Sequence, residues 1–462
     1  MRRPSCLAGI LLPGVLAPGS AQRVDLDALG EEAIGRVQEY LRINTINPPG
    51  NESRAVEFFA TIFDAEGIAY ETAESAPGRG NIWARLEGGD EPDLILLHHT
   101  DVVPADEAYW DSDPLSGHVE NGHIHGRGAL DTKTLGIFHL QTFLALHRAN
   151  VPLNRDVIFM ATADEEAGGA YGAGWLVEHR PELFEDAGWL LNEGGGGSAD
   201  GEFMQYGVEV TQKVPIWMEL TATGTPGHGS TPRVMSSVNR LVRALYNIQT
   251  HTFQPRIVPA VDTYFKGLAR RAPVAWRARY ADMAQTVLDT EALLELQVRN
   301  PGLHALTRNT CSITMLEGSS KINVVPPEVR AQLDCRMLPD QDPDLFVSEL
   351  HRVINDPSVG IEVLMAFEPA VSSTDTELYQ AIVDVAQQHF TGIDVVPSVL
   401  TGFTDSHFFR ALGITSYGFS PAMVPVEDGS GVHGNNERIS VENVRRGTGM
   451  MYEIVRRAVQ WS

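Results

Sequence analysis

The run Val157-Ile158-Phe159-Met160-Ala161, followed by Ala163-Asp164-Glu165-Glu166-Ala167-Gly168-Gly169, constrains this chain more than any other stretch. Apolar residues in unbroken succession read as a strand buried on both faces. The glycines beyond it read as a sharp exit. The carboxylates thus stand at the carboxyl end of a central strand, where open α/β sheets set their active sites. Unpaired, they would repel one another and raise each other's pKa values. A bound cation relieves the repulsion, and an acid left free of it can serve as a base. A solvated acidic turn is the plainer reading of the triplet alone, so other segments must supply further ligands.

Two more strand ends do so. Leu94-Ile95-Leu96-Leu97 is a buried-strand run that ends in His98-His99-Thr100-Asp101, and the short strand Trp189-Leu190-Leu191 ends in Asn192-Glu193 and four glycines, Gly194 to Gly197, which read as slack around Glu193. Residues 31–43, 54–66 and 132–149 show helical periodicity, the last largely apolar. This alternation predicts a mostly parallel sheet covered by helices on both faces. The pattern changes after Lys213. Residues 216–223 alternate apolar and polar, as a half-exposed strand does. A helix is expected over 236–247, strands over 310–316, 329–335 and 361–367, and a helix over 343–354. The fold class is therefore α/β, with an α+β domain inserted at about 214–368 between two parts of the first domain, 22–213 and 369–462. The stretch 254–300 reads as helical and packed on the outside.

Length and charge limit the rest. A chain of 462 residues suits two or three domains. A formal net charge of −25 argues against nucleic acid or an anionic membrane as partner. Arg2 and Arg3, a short apolar stretch and Ala17-Pro18-Gly19-Ser20-Ala21 form the pattern of a signal peptide over 1–21, and hence of a secreted or periplasmic protein. No segment reads as a membrane span. The mature chain would keep only Cys311 and Cys335, either bridged or as two buried thiols.

The ligand set is nitrogen and oxygen without thiolate, as hard or borderline cations require. His99-Thr100-Asp101 offers an imidazole and a carboxylate able to accept its other N–H. Gly126-Arg127-Gly128-Ala129-Leu130-Asp131 puts a carboxylate at the start of the buried helix, where N-capping is the simple alternative. His433-Gly434-Asn435-Asn436-Glu437 lies just ahead of the last helix. His98 reads as a packed strand residue, and Arg127 as a brace for its loop.

These segments, with Gly227-His228-Gly229-Ser230, Asn323-Val324-Val325-Pro326 and Arg336, occur together and in order over about residues 90–440. The sequence thereby resembles the di-zinc metallopeptidases that include glutamate carboxypeptidase, aminoacylase, acetylornithine deacetylase and succinyl-diaminopimelate desuccinylase. The resemblance implies a zinc-binding catalytic domain and makes the insertion a lid or dimerisation domain. It implies that Asp131 bridges two Zn2+ ions (Co2+ or Mn2+ being the alternatives). His99 and Glu193 would complete one site, Glu166 and His433 the other. Glu165 would be the general base, Asp101 would orient His99, and the bond between Asp131 and Thr132 would be cis. His228 would help to hold an oxyanion, in dimeric relatives from the partner subunit. Asn323, Arg336 and Gly402 would bind the substrate's carboxylate end. The implied reaction is hydrolysis of a peptide bond, or of an N-acyl amide bond, next to a free carboxylate. A ligand-binding relative without catalysis is the rival, and a homodimer is one assembly the resemblance allows.

Overall fold

The computed structural model describes residues 23–200, 203–270 and 272–460. The leader expected at 1–21 lies outside them. In chain order the strands are β1 (Tyr70–Glu74), β2 (Gly80–Leu86), β3 (Glu91–His99), β4 (His118–Glu120), β5 (His123–His125), β6 (Arg155–Thr162), β7 (Ala187–Asp200), β8 (Phe203–Gln212), β9 (Val214–Thr223), β10 (Gly227–His228), β11 (Thr310–Glu317), β12 (Val324–Val325), β13 (Glu328–Met337), β14 (Val359–Ala366), β15 (Asp394–Leu400), β16 (Thr415–Pro425) and β17 (Arg438–Ser440).

A large mixed sheet runs in the order β1-β2-β6-β3-β7-β16-β8-β15. Its centre is parallel: β3 pairs with β6 and with β7, and β7 with β16. Residues 157–161 of β6 are buried because both faces are covered. Phe159 and Ala161 pack toward helices Leu26–Leu41, Ser53–Glu66, Lys133–Arg148 and Val441–Gln460. Ile158 and Met160 pack on the opposite face with Ala173, Leu176 and Phe409, from helices Ala173–His179 and Ser406–Ala411. The unbroken apolar run is the direct consequence.

A separate antiparallel sheet, β11-β13-β9-β14, carries the alternating pattern. Ile216, Met218, Leu220, Leu333 and Cys335 face helices Ser237–Thr250 and Pro343–Ile354. Trp217, Glu219, Asp334 and Arg336 face away from that core. Cys311 and Cys335 sit opposite each other in the β11–β13 register and form a disulfide. Phe253 still packs in the small sheet's core, but the stretch from Val258 on, helical from Pro259, does not belong to it. Val261, Phe265 and Leu268 of helix Pro259–Ala269 pack with Val399 of β15, the last strand of the large sheet. The stretch expected as an insertion, 214–368, thus contributes to two separate cores.

One reading of the glycines changes. Gly194 to Gly197, expected as slack after a short strand, lie inside β7, which continues to Asp200 between β16 and β8. A Cβ at Gly195 would run into the carbonyls of Gly418 and Gly207, so the backbones approach too closely for any side chain.

Candidate metal centre

Five separated segments bring their side chains together: the carboxyl ends of β3 and β6, the middle of β7 at Glu193, and the loops that carry Asp131 and His433. His99, the last residue of β3, is 1% exposed. Its Nδ1 lies 3.0 Å from the Asp101 carbonyl. A carbonyl only accepts, so Nδ1 carries the proton and Nε2 keeps its lone pair for a cation. That Nε2 is 3.1 Å from Asp131 Oδ1 and 3.5 Å from Glu193 Oε1, but 4.0 Å from Glu165 Oε2. On the other side, His433 Nε2 is 3.0 Å from Asp131 Oδ2 and 3.1 Å from Glu166 Oε2. The two oxygens of Asp131 therefore face two different imidazole–carboxylate sets. The bond from Asp131 to Thr132 is cis.

The surrounding hydrogen bonds hold these groups in place. Asp101 Oδ1 accepts from the Glu165 amide at 3.1 Å, and Oδ2 accepts from the Glu166 amide at 3.2 Å and from Asn47 Nδ2 at 2.8 Å. The Asp101 carbonyl orients His99, while its carboxylate fixes the acidic turn. Asp164, at φ 69°, starts that turn. Its side chain accepts from the Tyr171 amide at 3.1 Å and lies 3.3 Å from Arg79 Nη1. Glu437, which the sequence reading left without a role, is fully buried. It accepts from the amides of Gly128, Leu130 and Asp131 at 2.9, 2.6 and 3.0 Å, and from Arg127 at 2.7 Å. That set freezes the loop carrying Asp131. Asp405 was missed as well. It is 3% exposed and accepts from Thr162 Oγ1 at 3.2 Å. Only its place at the large sheet shows that it borders the cluster.

The electrostatics are those of a site built for positive charge. Burial pushes the Glu165 carboxyl well above the usual range, and the Glu193 charge adds to this. Burial likewise raises Glu193 to about 7, against the attraction of His99, and raises Asp405 to about 8. Burial raises Glu166 too. Asp131 is the exception. Burial alone would raise it, but hydrogen bonds from His433 and His99 hold it below its ordinary value. His433 is lifted to about 10 by its bonds to Asp131 and Glu166. Glu166 Oε1 is buried with no hydrogen-bond partner among the described residues. A buried carboxylate oxygen without a donor, beside a carboxylate shared between two imidazoles, fits a pair of divalent ions.

The cluster forms the floor of a cleft of about 620 Å³. Trp217 and Arg336 line it from the small sheet, Gly402 and Phe403 from the loop after β15, and Leu130, Leu135, Leu400 and Val432 give it an apolar flank. Arg336 lies within β13 and pairs with Asp334, Nε to Oδ1 at 2.7 Å. Its Nη1 is nevertheless buried without a hydrogen-bond partner among the described residues. His228 and Asn323 do not line the cleft. They are exposed on the small β10–β12 ribbon, where the Asn323 carbonyl accepts from the Gly229 amide at 2.9 Å and His228 Nδ1 lies 2.8 Å from Ser230 Oγ. His98 packs between Tyr40, Phe59 and Phe159 and takes no part in the cluster.

Comparison with known proteins agrees with this geometry. Residues 95–457 match the model of the peptidase family M20/M25/M40. The chain is 31% identical over 374 residues to an N-fatty-acyl-amino acid synthase/hydrolase of Xenopus tropicalis, covering 78% of this chain and 72% of that protein. It is 28% identical over 427 residues to aminoacylase-1B of Rattus norvegicus, covering 90% and 93%. The fold superposes on an M20 family metallo-carboxypeptidase of Sulfolobus solfataricus with a TM-score of 0.69 at 20% identity, covering 92% and 98%. With its α/β fold, its inserted antiparallel sheet and a cluster of imidazoles and carboxylates at the strand ends, the chain belongs to the M20/M25/M40 peptidase family of metal-dependent hydrolases.

Proposed function

We propose that this protein is a dinuclear zinc hydrolase that cleaves a peptide bond next to a free carboxylate, as a carboxypeptidase or dipeptidase does. The observation that carries the reading is the division of Asp131 between His99 and His433, with Glu165 set back from both. The family is one of dinuclear metal-binding peptidases. His99, Asp131 and Glu193 would hold one ion, and Asp131, Glu166 and His433 the other. Two divalent ions there would supply Lewis acidity and bring the pKa of water toward neutrality.

The chain's own residues do the rest. Glu165 takes the proton of the attacking water and returns it to the leaving nitrogen. Arg336 directs its free Nη1 to the substrate carboxylate, while Asp334 fixes the rest of the guanidinium. His228 contributes to the oxyanion only once the small sheet closes over the cleft, or from a second copy of the chain. Val238, Val242 and Tyr246, exposed along one side of helix Ser237–Thr250, support such a dimer.

The second reading is hydrolysis of N-acyl amino acids, the substrates named for the Xenopus relative. The apolar flank of Leu130, Leu135, Leu400 and Val432 favours it, since it suits an acyl chain better than a peptide backbone. Secretion or a periplasmic location is proposed from the leader pattern, and the Cys311–Cys335 disulfide supports an oxidising compartment. No helix among the described residues is long and apolar enough to cross a membrane. The test is turnover of purified protein, its metal content measured, on dipeptides and on N-acyl amino acids of rising chain length. Peptide hydrolysis supports the first reading, and acyl-chain preference the second. No turnover of either by protein holding two equivalents of metal would reject both in favour of a non-catalytic relative.

A further inference from the structure

Outside the cleft, the hairpin β4–β5 gathers a second set of metal-ligating side chains. Its register pairs His118 with His125 and Glu120 with His123. Residues two apart on a strand share a face, so all four side chains emerge on the same side. The rings of His118 and His125 stack with centroids 4.9 Å apart, and His118 Nε2 is 3.8 Å from Glu120 Oε2. One ligand atom from each of His118, Glu120 and His125 lies within 4.8 Å of the other two. Donors around a zinc-sized ion at about 2.0–2.1 Å stand at most about 4 Å apart. The Glu120 side chain, 64% exposed, is free to swing in and close the difference.

Three features separate this set from ordinary polar surface. Ser116 Oγ lies 2.8 Å from His118 Nδ1. If that nitrogen carries the proton, Nε2 presents its lone pair on the side of Glu120, as ligating imidazoles do. His125 is half-buried under the stacked His118 ring, and burial together with His118 holds its pKa below the ordinary value, in the direction of the ligating neutral form. The cation nearest to it, Arg438 of β17, is already engaged with Asp428 at 2.6 Å. His123 turns instead toward Asp428, Nε2 to Oδ2 at 3.7 Å, and stays outside the trio.

We propose that His118, Glu120 and His125 bind a divalent cation of the zinc class, distinct from the pair at the cleft, with the remaining position open to water. Two imidazoles and one carboxylate are a donor set for that class of ion. The ion's role would be structural. Strand β5 runs directly into Gly126-Arg127-Gly128 and on to Asp131, and it pairs with β17, which begins immediately after Glu437. A clamp on this hairpin would stiffen both the loop that carries Asp131 and the segment that carries the buried acid bracing it.

The experiment compares full-length wild type with the double variant His118→Asn/His125→Asn, each first loaded at the cleft and then titrated with Zn2+ alone. Bound metal is measured after gel filtration, and melting temperature at each zinc concentration. The expected result is one more equivalent of zinc on wild type than on the double variant, and a zinc-dependent rise in melting temperature for wild type only. Ser116→Ala, which leaves all three ligands, should weaken the extra equivalent by about 10–100-fold. Equal stoichiometry in both proteins, or an extra equivalent bound only at millimolar zinc, would overturn the proposal. If the double variant fails to fold, Glu120→Gln on the exposed strand decides: unchanged zinc affinity there also overturns it.

Discussion

The large sheet and the small sheet meet the cleft with different kinds of side chain. On the large-sheet side, His99 is 1% and Glu165 6% exposed, and each is tied to a neighbour that is itself buried. On the small-sheet side, Arg336 is half-buried and His228 and Asn323 stand in solvent. The cause is the number of covered faces. Both faces of the large sheet carry helices, so whatever emerges at its strand ends is enclosed by cores above and below. The small sheet buries one face only, and its other face stays wet until a ligand or another surface covers it. In the proposed function, the groups that hold charge in a fixed geometry sit on the first wall, and those that would meet a variable substrate sit on the second. Rigid placement is the condition under which preorganised electrostatics act.

The widest break in that contrast comes from Asp131→Ala. Both ions should be lost and activity should fall to background, because one carboxylate faces both imidazoles. Elemental analysis that still finds two ions would remove the bridging role. Glu165→Gln should keep both ions and lose about 10²–10⁴-fold in kcat, the scale of general acid–base catalysis. Near wild-type kcat would show that another group is the base.

The second wall should respond differently. His228→Ala should leave metal content unchanged and lower kcat by about 10²-fold if it stabilises the oxyanion. Unchanged kinetics would place it outside the reaction and leave the small sheet without a catalytic group. Arg336→Ala should cost about tenfold or more in kcat/KM on a substrate with a free carboxylate, because hydrogen bonds to charged groups contribute about 1.5–3 kcal/mol. The matching C-terminal amide, a poor substrate from the outset, should lose much less. An equal loss on both would mean that Arg336 serves only Asp334.

The smallest effect tests burial itself. His139, in helix Lys133–Arg148, is fully buried, and desolvation holds it down at about 3. The unfolded chain binds the proton near pH 6.5, so its contribution to stability is complete above that pH and is lost as pH falls toward 3. Between pH 6.5 and 5 the loss amounts to about 2 kcal/mol. His139→Leu should flatten the fall in the urea midpoint over this window. An unchanged slope would show that other groups set the acid sensitivity of the large-sheet side.

The sequence by itself determined what depends on neighbours along the chain. Unbroken apolar runs specified β3 and β6, alternation specified β9, and Ser236 marked its helix start, where its side chain accepts from the Asn239 amide. The types of donor at each strand end were legible for the same reason, since carboxylates and imidazoles crowded after a buried strand need a common charge. How those donors divide was implied by the resemblance and by no local pattern; the tertiary structure brings each Asp131 oxygen to its own imidazole. Which Asp131 oxygen faces His99 and which faces His433 depends on strand order and on a contact across some 300 residues. Glu437 is an unremarkable acid until the fold brings three backbone amides to it. The glycines after Glu193 read as slack because no local pattern records that β16 and β8 close on β7 from both sides. The disulfide follows from the β11–β13 register, and the helices between the two sheets pack on β15 because apolar surface there has to be covered. Local order is set by the few residues within reach of a turn or a strand pair, whereas the site is set by what the cores carry together.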